Sequence, residues 1–327
     1  MEYYKLNSLY IEVTHACNQH CRHCYLDGGI HREIKGMTTD QIKKIFIEFK
    51  DQGGRYVIFT GGEPLMRNDV FELLDCLEEL ELHFTFASNS LGMNNERLEK
   101  LASYTCLSEY FTSILGATPE KHKAIAGKDS FESALNAVKF FDGKGISTFV
   151  QVTLANDYIE DMEDLLKLFS GFKNCSVKMT PIASLGCKSE EEKVQNKGII
   201  VPPEKFDYFH KKLDSLCKKY QNCAGDDNIL THNVIEKNIN EYKDDLLYSL
   251  RWHSVCIRPN GDLSFSYNMN NPFVFGKAFE TIKIPMDEKF YGYIELLKKA
   301  DEIILDVSKE QAVEYDTLVD KYLSVLK

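Results

Sequence analysis

The chain has 327 residues, 43% of them apolar and 27% charged, which describes a globular protein with a sizeable core and excludes a disordered one. A net charge of -11 disfavours nucleic acid as a partner, because nothing would neutralise its phosphates. No secretory signal opens the sequence and no apolar run approaches bilayer length, so a membrane is not expected, and ten cysteines then suggest a reducing, cytoplasmic setting in which clustered thiols bind metal.

In chain order, the apolar run LYIEVT at 9–14 reads as a first strand and leads directly into THACNQHCRHCYLDGG. Cys17, Cys21 and Cys24 are spaced C-x₃-C-x₂-C within it. Thr38 and Gln41 suit a capping box, and Ile42, Ile45, Phe46 and Phe49 recur at helical spacing. RYVIFT at 55–60 is a second strand ending in Gly61-Gly62-Glu63-Pro64, and Val70, Leu73, Leu74 and Leu77 mark the helix after it. Strands are expected again at 83–88, 110–115, 146–154 and 175–182, with helices through Phe131, Leu135, Val138 and Phe141 and around 165–169. This alternation predicts an α/β fold of parallel units over residues 1–200. Six units are too few for a closed eight-fold barrel and suit a partial (β/α)6 barrel. Chemistry in such sheets gathers at the carboxyl ends of the strands, where the cysteine loop, GGEP and Ser88-Asn89-Ser90 all fall.

After about residue 200 the alternation stops. Residues 202–220 read as a helix opened by proline, 254–268 as a hairpin turning at Asn260-Gly261, and the stretch from Lys289 as a charged helix. A smaller α+β unit is therefore expected over 201–327, packed by the aromatic stretches FSYN, NPFVFGKAF and KFYGYI.

Taken alone, three clustered cysteines suit zinc, with His15, His20 or His23 as fourth ligand, as well as an iron–sulfur group. The glycine pair and Glu63, one β/α unit away, favour the second. Glycines let a ligand approach the backbone and a glutamate accepts from an ammonium, so an amino-acid moiety can sit beside the metal.

The two motifs together resemble the radical S-adenosylmethionine (SAM) superfamily, in particular its peptide-modifying group with a C-terminal SPASM or twitch domain. The resemblance implies one four-iron, four-sulfur cluster on Cys17, Cys21 and Cys24, with SAM on the fourth iron. It implies SAM contacts at His23, Gly61, Gly62, Glu63, Asn89, Ser113 and Thr153. The implied activity is reductive cleavage of SAM to a 5′-deoxyadenosyl radical that takes a hydrogen atom from a substrate. A ribosomally made peptide is the first expectation, with epimerisation or crosslinking as outcomes; Cys187, Cys223 and Cys256 are candidate hydrogen donors. A small metabolite or tetrapyrrole is the alternative substrate, and a metal-binding scaffold without turnover the alternative role. An electron donor such as flavodoxin or ferredoxin is implied as partner. The chain departs from the group's S-L-D-G and H-D-x-x-R-G: Leu115 and Lys123 replace the aspartates and Ala126 the arginine, leaving Lys123 or Lys128 as stand-ins. Ile257-Arg258-Pro259-Asn260-Gly261 resembles the core of the auxiliary-cluster domain, but Ser249 and Ser266 stand at its cysteine positions. That fold is thus expected without auxiliary clusters. His122, His210, His232 and His253 form no recognisable constellation in the sequence.

Overall fold

The structure is a computed structural model and describes residues 2–24, 36–182, 198–224, 229–230, 255–265, 274–308 and 313–314. Six strands pair in parallel in sequence order: β1 (Ser8–Glu12), β2 (Tyr56–Thr60), β3 (His83–Ala87), β4 (Leu107–Ser113), β5 (Ser147–Leu154) and β6 (Cys175–Pro181). Parallel neighbours need a crossover, supplied by α1 (Thr39–Asp51), α2 (Val70–Glu79), α3 (Asn95–Ala102), α4 (Pro119–Ala126) with α5 (Phe131–Gly143), and α6 (Met162–Phe169). Two of these helices had no expectation from the sequence. α3 buries only Leu98 and Leu101, and α4 only His122, Ile125 and Ala126, too few apolar positions for a period to stand out.

Where the period is strong the local chemistry agrees. The Thr38 hydroxyl accepts from Gln41 N–H and the Gln41 side chain from Thr38 N–H, which closes the capping box of α1. Ile42, Ile45, Phe46 and Phe49 of that helix are fully buried, each stabilising the fold by roughly 1.5–3 kcal/mol.

The sheet has one packed face and one open face. On β5, Thr148, Val150, Val152 and Leu154 are buried toward the helices, whereas Phe149, Gln151 and Thr153 stand half-buried on the other side. Tyr10, Tyr56, Ile58, Phe111, Lys178 and Thr180 are likewise half-buried. A parallel sheet covered on both faces would be apolar on both, so this mixed surface marks the side available to ligands.

Beyond β6 come α7 (Phe206–Lys219), β7 (Ile229–Leu230), β8 (Cys256–Ile257), β9 (Asp262–Ser264), β10 (Gly276–Lys277), α8 (Glu288–Ser308) and β11 (Val313–Glu314). The hairpin expected at Asn260-Gly261 forms between β8 and β9, with Gly261 at φ +84° in its turn. β8 then pairs in parallel with β1, Tyr10 beside Cys256, so the described strands run in the order β10-β9-β8-β1-β2-β3-β4-β5-β6. The C-terminal segment extends the first sheet and removes a bare edge at β1, so the sheet does not break near residue 200. β7 and β11 form a separate two-stranded pair. Phe265 packs on Phe275 and Tyr293 with ring centroids 5.2 and 5.9 Å apart, in the same core as Leu9 and Ile11.

One cysteine expectation changes. Cys217 and Cys223 form a disulfide, so Cys223 has no S–H hydrogen to give. Cys223 bridges to Val177 at the β6 edge, which brings it to the end of α7 and explains a pairing that spacing alone did not suggest. Cys187, His232, Ser249, His253 and Ser266 lie outside the described residues.

Candidate metal and cofactor site

The cysteine loop after β1 is held from two sides. On the β2 side, Val13 N–H donates to Thr60 O at 2.8 Å, Gly62 N–H to Thr14 O at 2.7 Å and Glu63 N–H to Ala16 O at 2.9 Å. A Cβ on Gly61 would stand 2.5 Å from the Thr14 carbonyl oxygen, and one on Gly62 2.6 Å from that of Ala16. The space these glycines leave is therefore taken by the loop itself, where the sequence suggested a ligand.

Glu63 is fully buried. Its Oε1 accepts from Leu65 N–H at 3.1 Å and the Ser88 hydroxyl at 3.0 Å, and its Oε2 from Asn89 N–H at 2.7 Å. Burial raises its pKa to about 7, against hydrogen bonds that lower it. An ammonium, the partner expected from the sequence, would share this carboxylate with three internal donors.

On the other side, His20 N–H and Arg22 N–H donate to the carbonyls of Ala126 (3.2 Å) and Ile125 (2.9 Å), in the last turn of α4. Gly127, at φ +72°, ends that helix so close to the loop that a Cβ would meet His20 O at 2.9 Å. Ala126 is fully buried here, and Lys123 and Lys128 are exposed. Arg67 adds a strut: its guanidinium donates to Val13 O (3.0 Å) and Met37 O (3.1 Å) and forks onto Asp69.

A buried chain of side chains runs behind the loop. Leu115 N–H donates to His122 Nδ1 at 3.1 Å. A backbone N–H can only donate, so the imidazole carries its proton on Nε2 and gives it to Ser130 Oγ at 2.8 Å. Gln19 Nε2 donates to the same Oγ at 2.6 Å, which orients Gln19 Oε1 toward the Cys21 thiol at 3.3 Å. Burial lowers the pKa of His122 to about 4 and keeps this link neutral.

None of Cys17, Cys21 and Cys24 is in a disulfide. Burial raises the Cys17 thiol, and raises the Cys21 thiol strongly; Cys24 adds electrostatic repulsion to both. Thiols held up in this way become thiolates more readily when a cationic centre binds them. Beside them His23 has a buried Nδ1 without a hydrogen-bond partner among the described residues, and burial lowers its pKa to about 4. Among the described residues no three His, Cys, Asp or Glu side chains close around a single ion. Three free thiols on one loop, with an unmatched buried ring nitrogen alongside, fit an iron–sulfur cluster held by thiolates with a ligand next to it.

Of the residues expected from the sequence, Cys17, Gly62, Glu63 and Asn89 belong to one hydrogen-bonded assembly, and Gly61 packs closely against Thr14 of the same loop. Ser113 and Thr153 stand on the open face at the ends of β4 and β5, beside Gln151 and Thr180 in register, and no described hydrogen bond joins them to it. Sequence reasoning missed Glu12, Gln19, His122, Ser130 and Arg258. Only Glu12 carried a signal, as a charge inside an otherwise apolar strand. In the fold it is fully buried, with the Arg258 guanidinium at 3.0 Å and His15 Nε2 at 3.8 Å.

Residues 11–169 match the family model described as the radical SAM superfamily. Over 158 residues the chain is 28% identical to the AdoMet-dependent heme synthase of Nitratidesulfovibrio vulgaris, covering 48% of this chain and 43% of that protein. Over 161 residues it is 30% identical to the mycofactocin maturase MftC of Mycolicibacterium smegmatis, covering 48% and 40%. Both matches span less than half of the relative's own length. The solved structure of Streptococcus suis SuiB bound to its precursor peptide SuiA shares the fold, with a TM-score of 0.70 at 17% identity over 89% of this chain and 67% of that one.

Proposed function

We propose that this member of the radical SAM superfamily, through residues 11–169, binds one four-iron, four-sulfur cluster on Cys17, Cys21 and Cys24 with SAM beside it, and acts on a peptide in the cytoplasm. One observation carries the reading. Three free thiols sit on a loop that backbone hydrogen bonds hold between the Gly62-Glu63 turn and the end of α4, at the carboxyl ends of a parallel sheet whose other face is open.

When bound, the cluster and SAM supply one-electron cleavage of a carbon–sulfur bond and with it the means to take a hydrogen atom from an unactivated carbon. The chain's own residues hold and shield. Gly62 and Glu63 fix the loop by backbone bonds, and Glu63 sets the backbone of Asn89. Leu115, Ile125, Ala126 and Ile182 form a small buried cluster against Cys21 that keeps water from its sulfur. Ser113, Gln151, Thr153 and Thr180 offer hydrogen-bonding groups on the open face at the level of the strand ends, suited to SAM's ribose and to a substrate backbone. None of this needs a side chain to act as acid or base. A flavodoxin or ferredoxin would supply the electron.

The maturase relative and the peptide-bound fold neighbour support a peptide substrate. A tetrapyrrole is the second reading, favoured by the heme synthase relative. Anaerobic reconstitution followed by iron counting and a 5′-deoxyadenosine assay with SAM and dithionite tests the proposal. About four irons per chain and formation of 5′-deoxyadenosine are expected. A single zinc, or a loaded chain that leaves SAM intact, overturns it in favour of a metal scaffold. Stimulation of turnover by a small peptide encoded nearby or by a porphyrin precursor separates the two substrate classes.

A further inference from the structure

Asn89 was expected from the sequence to meet SAM. In the fold its side chain is bonded within the cysteine site. Leu91 N–H donates to Asn89 Oδ1 at 2.8 Å, and since a backbone N–H cannot accept, this contact fixes which end of the amide is oxygen. The Nδ2 end then faces Asn18 Oδ1 at 2.8 Å and Cys17 Sγ at 3.6 Å, one acceptor for each of its two hydrogens. Asn18 is itself held by Leu91 O, which accepts from its Nδ2 at 2.6 Å. The backbone of Asn89 is fixed by buried Glu63, and Ser90 turns the chain with φ +64°, its hydroxyl bonded to Tyr110 and Thr112 in the core. Gln19 N–H supplies a second donor to the same sulfur at 3.4 Å.

We infer that Asn89 is a tuning residue for the cluster proposed above: its amide N–H bonds the Cys17 sulfur and raises the cluster's reduction potential. The inference rests on that reading of the cysteine loop. Reduction adds negative charge that is shared with the thiolate sulfurs, and an N–H···S bond stabilises the reduced form more than the oxidised one. Gln19 donates from the backbone and survives substitution, whereas the Asn89 contribution is carried by a side chain and can be removed.

The test is an EPR-monitored redox titration of reconstituted full-length chain without SAM, comparing wild type with Asn89→Leu and Asn89→Asp. Asn89→Leu deletes the donor and shifts the midpoint to more negative potential. Asn89→Asp keeps the shape, places an acceptor where the donor was, and shifts it further the same way. A purely structural role would lower iron content while leaving the potential of the loaded fraction unchanged. Unchanged midpoints in both loaded variants, or a shift to positive potential, overturn the inference alone. Failure of wild-type chain to take up any cluster overturns the reading of the site, and this inference with it.

Discussion

The Arg258 guanidinium lies 3.0 Å from the Glu12 carboxylate, both buried, across 246 residues of chain. Glu12 ends β1 two residues before the cysteine loop begins at Thr14, and Arg258 follows β8, the strand that joins β1 from the C-terminal segment. The pair ties the far end of the chain to the root of the site.

Removing one partner of such a buried pair leaves the other less well compensated. Arg258→Ala is expected to destabilise the fold by about 3–5 kcal/mol, whereas joint replacement of Glu12 and Arg258 by Leu and Met costs far less. Urea denaturation of the three chains measures it. Equal losses for the single and double variants would show that the pair is not coupled.

Gly62 tests the close approach of GGEP to the loop. A methyl group there meets Ala16 O at 2.6 Å and His15 O at 2.7 Å, both backbone atoms that cannot swing aside. Gly62→Ala should cost roughly 1–3 kcal/mol by overpacking and displacement of the loop. Iron uptake should fall with it. A variant with unchanged melting temperature and full iron content would contradict the geometry.

His122 gives a pH signature. Its pKa falls from 6.5 to about 4 on folding because burial opposes the charged form. Between those values the unfolded chain binds the extra proton, so this residue's contribution is complete above pH 6.5 and is lost as pH falls toward 4. The slope is at most about 1.4 kcal/mol per pH unit. His122→Gln should reduce the slope of stability measured by urea titration between pH 4 and 7 and leave the share of His23, whose pKa burial likewise lowers to about 4; an unchanged slope assigns the acid lability to other groups.

The remaining cysteines divide by place. Replacing Cys17, Cys21 or Cys24 with alanine should abolish retention of a full cluster. Cys106→Ala and Cys175→Ala, in the two main cores, should keep the iron and cost about 1 kcal/mol each in stability. Iron analysis after anaerobic reconstitution separates the sets, and iron lost equally from all five variants would argue against the loop.

Much of the fold was legible because local spacing and packing agree. Ile42, Ile45, Phe46 and Phe49 show the helical period and all are buried, and the Thr38–Gln41 box starts that helix as its residue types require. α3 and α4 were not legible, being two turns long with few apolar positions. The disulfide was not legible either. Cys217 and Cys223 lie six positions apart, a spacing that says nothing until α7 ends beside the β6 edge.

The sequence by itself determined the chemistry on offer: three thiols at fixed spacing after one strand, a glycine pair and a glutamate after the next, and an alternating pattern that sends both to the same end of a sheet. Those features are local, and local spacing survives in a linear string. Only the tertiary structure decided what the motif residues touch. It turned Gly61 and Gly62 toward the cysteine loop, gave Glu63 three internal donors, aimed Asn89 at Cys17, and seated Arg258 on Glu12. Each of these contacts joins residues far apart in the chain. A hydrogen bond or an ion pair depends on distance in space, which sequence separation does not set.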